Sequence, residues 1–314
     1  MKLILRGDGD DKIGLGHIYR LISILQMVRD DFDCLFVVCN PSASVLSLIN
    51  STGVPLKVIN EFTDITFAQK EDILILDGYQ FDYSYQLSVK EKGVKLVCID
   101  DYQHTDYYAD IVINHAPGVT KDLYQFSTVD KFLLGPDYAM IRPAFLNAKS
   151  SAGYRSGIII CMGSSDPNQL IPIFLNCILG THKGEIHVVT GALNSLNEKL
   201  QNYEKCKLHI DLNESELAKL MSRSKIAVVS SSTILFECLA MQLICLSGFY
   251  VDNQKKIYSG FLDMNAIHGL GNLNELNKET FKEALVLANN AHSIPNVIDG
   301  NSGQRILSAI KSLQ

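Results

Sequence analysis

Short apolar runs recur along the chain, each bounded by Gly, Asp, Ser or charged residues. Longer segments with apolar positions at three- and four-residue spacing lie between them. The runs predict strands over residues 2–6, 34–39, 57–59, 73–76, 95–99, 111–113 and 132–134. After the polar stretch Asn147-Ala148-Lys149-Ser150-Ser151-Ala152-Gly153 the rhythm restarts, with strands over 157–161, 186–189, 207–210, 226–229 and 244–246. The longer segments predict helices over 17–29, 41–51, 168–179, 214–222, 233–241 and 303–313. Strands apolar throughout are covered on both faces, and their alternation with helices argues βαβ units and parallel sheets. The fold class read from the pattern is α/β, with two Rossmann-like domains, 1–150 and 151–314, whose parallel sheets face a cleft. The last helix is a candidate to pack back on the first domain.

Composition narrows the functional classes. The 314 residues suit two ordinary domains, and 47% hydrophobic against 20% charged residues is globular composition. The net charge of −6 gives no electrostatic reason to expect nucleic acid or an anionic membrane as partner. An anionic ligand would need local donors. The opening apolar stretch, residues 1–6, is too short for a signal peptide, and no run approaches the roughly 18 to 20 residues of a spanning helix. A cytoplasmic protein without membrane insertion is expected. None of the eight cysteines forms a C-x-x-C pair, and most lie in apolar runs such as Leu96-Val97-Cys98-Ile99. They read as small buried residues of a reduced protein, not as zinc ligands or disulfides.

The chemistry gathers in loops at the predicted carboxyl ends of strands, where open parallel sheets bind ligands. The first is Arg6-Gly7-Asp8-Gly9-Asp10-Asp11-Lys12-Ile13-Gly14-Leu15-Gly16-His17, between the first strand and the first helix. Gly14 and Gly16 lack Cβ atoms where the backbone must turn or approach a ligand. A neutral imidazole at the helix start, His17, is a candidate base near pH 7. The pattern G-x-G-x-x-G of a nicotinamide site is absent, because Tyr19 takes its last position. In the second half, Cys161-Met162-Gly163-Ser164-Ser165-Asp166-Pro167 either contacts phosphate or simply starts a helix capped by Asp166. Ser230-Ser231-Ser232-Thr233 offers hydroxyls and helix N–H groups to a pyrophosphate. Glu237, one turn on, either accepts from ribose hydroxyls or caps the turn. Asp252-Asn253-Gln254-Lys255 reads as a polar loop able to present amides.

Together these loops resemble one family, the UDP-2,4-diacetamido-2,4,6-trideoxy-β-L-altropyranose hydrolases of pseudaminic acid biosynthesis, which are related in fold to the GT-B glycosyltransferases. The matching pieces are R-G-D-G-x-x-x-I-G-x-G-H-x-x-R over residues 6–20, Ile99-Asp100-Asp101 and Gly135-Pro136-Asp137-Tyr138-Ala139-Met140-Ile141-Arg142. Cys161-Met162-Gly163-Ser164-Ser165-Asp166, Ser231-Ser232-Thr233 with Glu237, and Asn253-Gln254 complete the set. The chain departs from many relatives at Gly163-Ser164, where they carry Gly-Gly, and at Ser230-Ser231, where some carry a glycine pair. The resemblance implies a metal-independent, inverting hydrolase without a cofactor, acting on a UDP-sugar. His17 would be the general base and UDP the leaving group. It implies sugar contacts from Arg6, Asp8, Gly14, Gly16, Arg20, Tyr79, Asp100 and Asp101. Nucleotide contacts would come from Gly163, Ser164, Ser165, Ser231, Ser232, Thr233, Glu237, Asn253 and Gln254. A GT-B glycosyltransferase using a UDP-sugar donor, a non-catalytic nucleotide-sugar binder and a UDP-sugar 2-epimerase stay open as alternatives.

Overall fold

The segments Leu3–Gly7 and Ile73–Asp77 are buried at every position, so both of their faces need cover. An all-parallel sheet with helices on either side supplies it. The structure, a computed structural model, describes residues 1–9, 14–101, 105–150, 155–163, 166, 168–179, 182, 184–192 and 194–314. In chain order its elements are β1 (Leu3–Gly7), α1 (Gly16–Val28), β2 (Cys34–Cys39), α2 (Ala43–Asn50), β3 (Leu56–Ile59), β4 (Ile73–Asp77), α3 (Tyr83–Glu91), β5 (Lys95–Ile99), β6 (Tyr108–Asn114), β7 (Thr128–Leu134) and α4 (Pro143–Ser150). There follow β8 (Ile158–Cys161), α5 (Leu170–Ile178), β9 (Ile186–Thr190), α6 (Asn197–Leu200), β10 (Lys207–Ile210), α7 (Glu214–Arg223), β11 (Ile226–Ser230), α8 (Thr233–Ala240), β12 (Ile244–Phe249), α9 (Asn253–Asp263), β13 (Ile267–Asn272), α10 (Lys278–Asn290) and α11 (Ser302–Lys311).

The chain divides into two compact units, residues 1–143 with 300–314, and residues 144–299. The first holds a seven-stranded sheet in the order β3-β2-β1-β4-β5-β6-β7, the second a six-stranded sheet in the order β10-β9-β8-β11-β12-β13. Neighbouring strands in both are parallel. The order reverses between β1 and β4 in one sheet and between β8 and β11 in the other. A crevice opens outside the carboxyl ends of the strands at such a reversal.

Each unit has its own core. In the first, Leu3, Leu5, Ile73, Ile75, Val97 and Ile99 of the sheet pack with Leu21, Ile24 and Leu25 of α1. α11 joins that core through Ile306, Ala309 and Ile310, and Gly303 lets it approach the Met27 side chain of α1. In the second unit, Ile158, Ile160, Val228 and Leu246 pack beneath Phe174 of α5 and Phe281 of α10, whose rings stack with centroids 5.0 Å apart.

The predicted strands all form, with ends that coincide or shift by one residue, apart from longer extensions in β6, β7 and β12. The apolar pattern does not reveal β13, where Gly269 and Gly271 interrupt the run. Nor does it reveal α3, α9 and α10, which mix polar residues into their faces. α3 is set instead by its cap: the Asp82 carboxylate accepts from Tyr85 N–H at 2.9 Å. The units divide at 143/144 and 299/300, against an expected join near residue 150.

Ile306 has no exposed surface, so Ile306→Ala should lower the stability of the first unit by about 2–5 kcal/mol. Hydrogen exchange of the β1 and β4 amides checks this. Unchanged exchange there would remove α11 from that core.

Candidate functional site

The reversal between β1 and β4 gathers a cluster of charged side chains. Gly7 ends β1 beside Asp77 of β4, and a Cβ on Gly7 would lie 2.7 Å from the Asp77 carbonyl oxygen. Only glycine allows that approach. Gly14 carries the chain onward at φ +82°, and α1 begins at Gly16. His17 therefore stands in the first turn of α1, over the end of β4.

Its Nδ1 lies 2.6 Å from Asp77 Oδ1. Arg20, one turn further along α1, donates to Asp77 from Nε (2.7 Å) and Nη2 (2.6 Å), and to Asp101 Oδ2 from Nη1 (2.5 Å). Nη2 also stands 2.8 Å from His17 Nδ1. The Tyr79 hydroxyl donates to both oxygens of Asp101, at 3.0 and 3.2 Å, while its ring meets His17 edge-on at 5.0 Å. Asp77 is fully buried and Tyr79 is 40% exposed. With its proton on Nδ1, His17 donates to that carboxylate; with Nδ1 bare, it accepts from Arg20 Nη2 instead. In the first tautomer Nε2 is an acceptor, with no partner among the described residues.

Burial disfavours charge on Arg20, but Asp101 and Asp77 outweigh it and hold the guanidinium well above its ordinary value. Burial likewise pushes the Asp101 carboxyl up. Arg20, with smaller help from His17 and Tyr79, overcomes this and keeps it below its usual range. His115, at the end of β6, accepts from Met140 N–H at 3.4 Å. Burial, reinforced by the Arg20 charge, lowers its pKa to about 3, so it stays neutral.

Several side chains expected to face a sugar have internal partners instead. Arg6 is fully buried, donates to Asp8 at 2.5 Å and lies over the Phe81 ring at 4.9 Å. Asp8 accepts from Arg6, Cys39 N–H and Gln80 Nε2, which ties the ends of β1 and β2 to the loop after β4. Arg20 is committed to two carboxylates. Asp100 accepts from Tyr107, Asn114 and Tyr124 at 2.6–2.9 Å, on the opposite side of the strand end from Asp101. Burial and the Asp100 charge raise both tyrosines, which remain neutral donors. Sequence reasoning missed Asp77 and His115. The signal was a polar residue closing an apolar strand, as in Ile73-Leu74-Ile75-Leu76-Asp77.

The second unit repeats the placement at the reversal between β8 and β11. Gly163, at φ +93°, follows β8, and Ser230-Ser231-Ser232-Thr233 carries β11 into α8. Ser164 and Ser165 lie outside the described residues. Asp166 caps α5, accepting from Leu170 and Ile171 N–H, both at 3.0 Å. By contrast, Ser232 stands at the start of α8 without a side-chain cap, and no acidic residue lies in the first turn. Such a helix start favours an anion. Ser231 differs from expectation: it is fully buried and its hydroxyl pairs with Ser247 at 2.9 Å. Glu237 is buried one turn into α8. The expected polar loop at Asp252–Lys255 is mostly helix. Asn253 begins α9, and Gln254 turns inward so that its amide oxygen accepts from Tyr250 N–H at 3.1 Å. Among the described residues no group of three or more His, Cys, Asp or Glu is placed to hold a metal ion. None of their helices is long and apolar enough to cross a membrane.

No family model matches the chain. It is 27% identical over 270 residues to the UDP-2,4-diacetamido-2,4,6-trideoxy-β-L-altropyranose hydrolase of Campylobacter jejuni, covering 81% of this chain and 94% of that one. It is 26% identical over 282 residues to an uncharacterized protein of Methanocaldococcus jannaschii; the match takes in 83% of this chain but 58% of that longer protein. Among solved structures it is similar to a putative UDP-N-acetylglucosamine 2-epimerase from Listeria monocytogenes, with a TM-score of 0.63 at 14% identity over 99% of this chain and 96% of that one. The structural likeness shows a shared GT-B-type fold of two parallel-sheet α/β domains.

The neutral His115 carries a pH signature. Its folded pKa of about 3 lies below the ordinary 6.5, so the unfolded chain binds the extra proton. That contribution is complete above pH 6.5 and is lost as pH falls toward 3. Urea unfolding of the parent and of His115→Gln at pH 7, 6, 5 and 4 should show a shallower loss in the variant. Parallel curves would show that His115 does not titrate this way.

Proposed function

We propose that the chain hydrolyses a UDP-linked 2,4-diacetamido-2,4,6-trideoxy sugar with inversion, in the formation of a nonulosonic acid of the pseudaminic type. The observation that carries this reading is His17 with Nδ1 held by Asp77, which leaves Nε2 to take a proton. The similarity to the Campylobacter jejuni hydrolase over most of both chains supports the substrate class.

In this mechanism a water molecule gives a proton to His17 Nε2 as its oxygen bonds to the anomeric carbon. The bond from that carbon to the UDP oxygen breaks, and its electron pair leaves with UDP. Attack opposite the leaving group inverts the centre. Asp77 is a positioning residue: it fixes the tautomer and stabilises the imidazolium that forms. UDP is a good leaving group, so a strong general acid is not required. We assign the nucleotide to the second unit, with the phosphates near Gly163, Ser232 and Thr233, the ribose near Glu237, and Asn253 adjacent. In the first unit we assign sugar contacts to Tyr79 and the Gly14–Gly16 turn. Charge on UDP is met by N–H groups and hydroxyls, so no metal or cofactor enters the reaction.

His17→Asn keeps one polar contact but removes the base. Turnover should fall by about 10²- to 10⁴-fold while UDP affinity changes little. Turnover and UDP binding should be measured on one preparation with a panel of UDP-2,4-diacetamido sugars in ¹⁸O-water. Near-parent turnover in the variant would make His17 structural. Sugar appearing on an added acceptor without ¹⁸O uptake would identify a glycosyltransferase instead. Activity should survive EDTA. Complete loss restored by Mg²⁺ or Mn²⁺ would place a metal in the reaction.

A further inference from the structure

Asp101 is almost entirely buried, and both its oxygens are engaged by Arg20 and Tyr79. Its consequence lies beyond those contacts. Arg20 sits between two carboxylates and also places Nη2 2.8 Å from His17 Nδ1. Among the described residues, the charged groups around the imidazole are Asp77 from β4, Arg20 from α1 and Asp101 from beyond β5. Tyr79 adds a neutral hydroxyl and an edge-on ring. Within this described trio, one cation and two anions leave a single negative charge. Without Asp101, Arg20 would cancel Asp77. An imidazolium formed at His17 would then face a neutral pair, with a guanidinium at hydrogen-bonding distance.

Resting on His17 as the base of the reaction above, we propose that Asp101 is a positioning residue that acts through Arg20, as the counter-charge that lets His17 take up a proton from water. It does not bind the sugar. The geometry links the two: Arg20 meets Asp101 through Nη1 while its Nη2 stands 2.8 Å from His17 Nδ1.

Asp101→Asn keeps the shape and an acceptor for Arg20 and Tyr79 but removes the charge. The acidic limb of kcat/KM against pH should move down by about one unit, and kcat should fall roughly tenfold with KM little changed. Asp101→Glu should restore both. NMR titration of the His17 Cε1–H, without substrate, should show the same downward movement, so this test does not depend on turnover. A folded Asp101→Asn protein whose His17 midpoint and acidic limb are unmoved would overturn the proposal. A moved midpoint in a chain whose parent hydrolyses no UDP-sugar would uphold the coupling and overturn the hydrolase reading. If Asp101→Asn does not fold, the parent itself decides. The Asp101 Cγ resonance should carry an inflection at the pH where His17 titrates, and its absence would overturn the proposal.

Discussion

Arg20 holds two buried carboxylates on one guanidinium, and the first unit's chemistry depends on that contact. Desolvating three charges is costly, and the cost is offset only while each keeps its partners. Removing one partner from such a cluster typically destabilises by about 3–5 kcal/mol. The geometry is correspondingly rigid. Arg20 comes from α1, Asp77 from the end of β4 and Asp101 from just beyond β5, so one side chain ties three elements together. His17, on the same helix and one turn earlier, inherits its place from that tie. Asp77 reaches it because Gly7 lets β1 and β4 close up where the strand order reverses.

The second unit meets the same topological constraint with different chemistry. Among the described residues, its reversal holds glycine, hydroxyls and helix starts rather than an ion cluster. The two adjacent helix starts are unlike. Asp166 fills that of α5 with its own carboxylate, whereas α8 begins at Ser232 without a side-chain cap. An anion would compete with Asp166 at the first and meets no carboxylate in the first turn of the second. In a chain of net charge −6, donors of this local kind are what an anionic nucleotide would require.

Asp100 and Asp101 show how little separates an internal brace from a site residue. They are adjacent in sequence and both buried. Successive side chains at a strand end point to opposite sides. Asp100 thus meets Tyr107, Asn114 and Tyr124, while Asp101 meets Arg20 and Tyr79. The first cluster braces the ends of β5 and β6; the second surrounds His17.

The apolar runs by themselves determined the α/β class, the parallel sheets and the loops that carry chemistry, because a strand buried on both faces has no polar positions to spare. They also placed His17 at a glycine turn before a helix, a local feature that spacing reveals. What spacing could not reveal is partnership. Asp77 is 60 residues from His17, and only strand order puts β4 beside β1. The same folding turned Arg20, Asp100, Ser231 and Gln254 inward, since a buried polar group must find its partner inside the protein. α11 joined the first unit's core for a related reason: its apolar stripe needed cover, and which surface would supply that cover was a decision of tertiary packing alone.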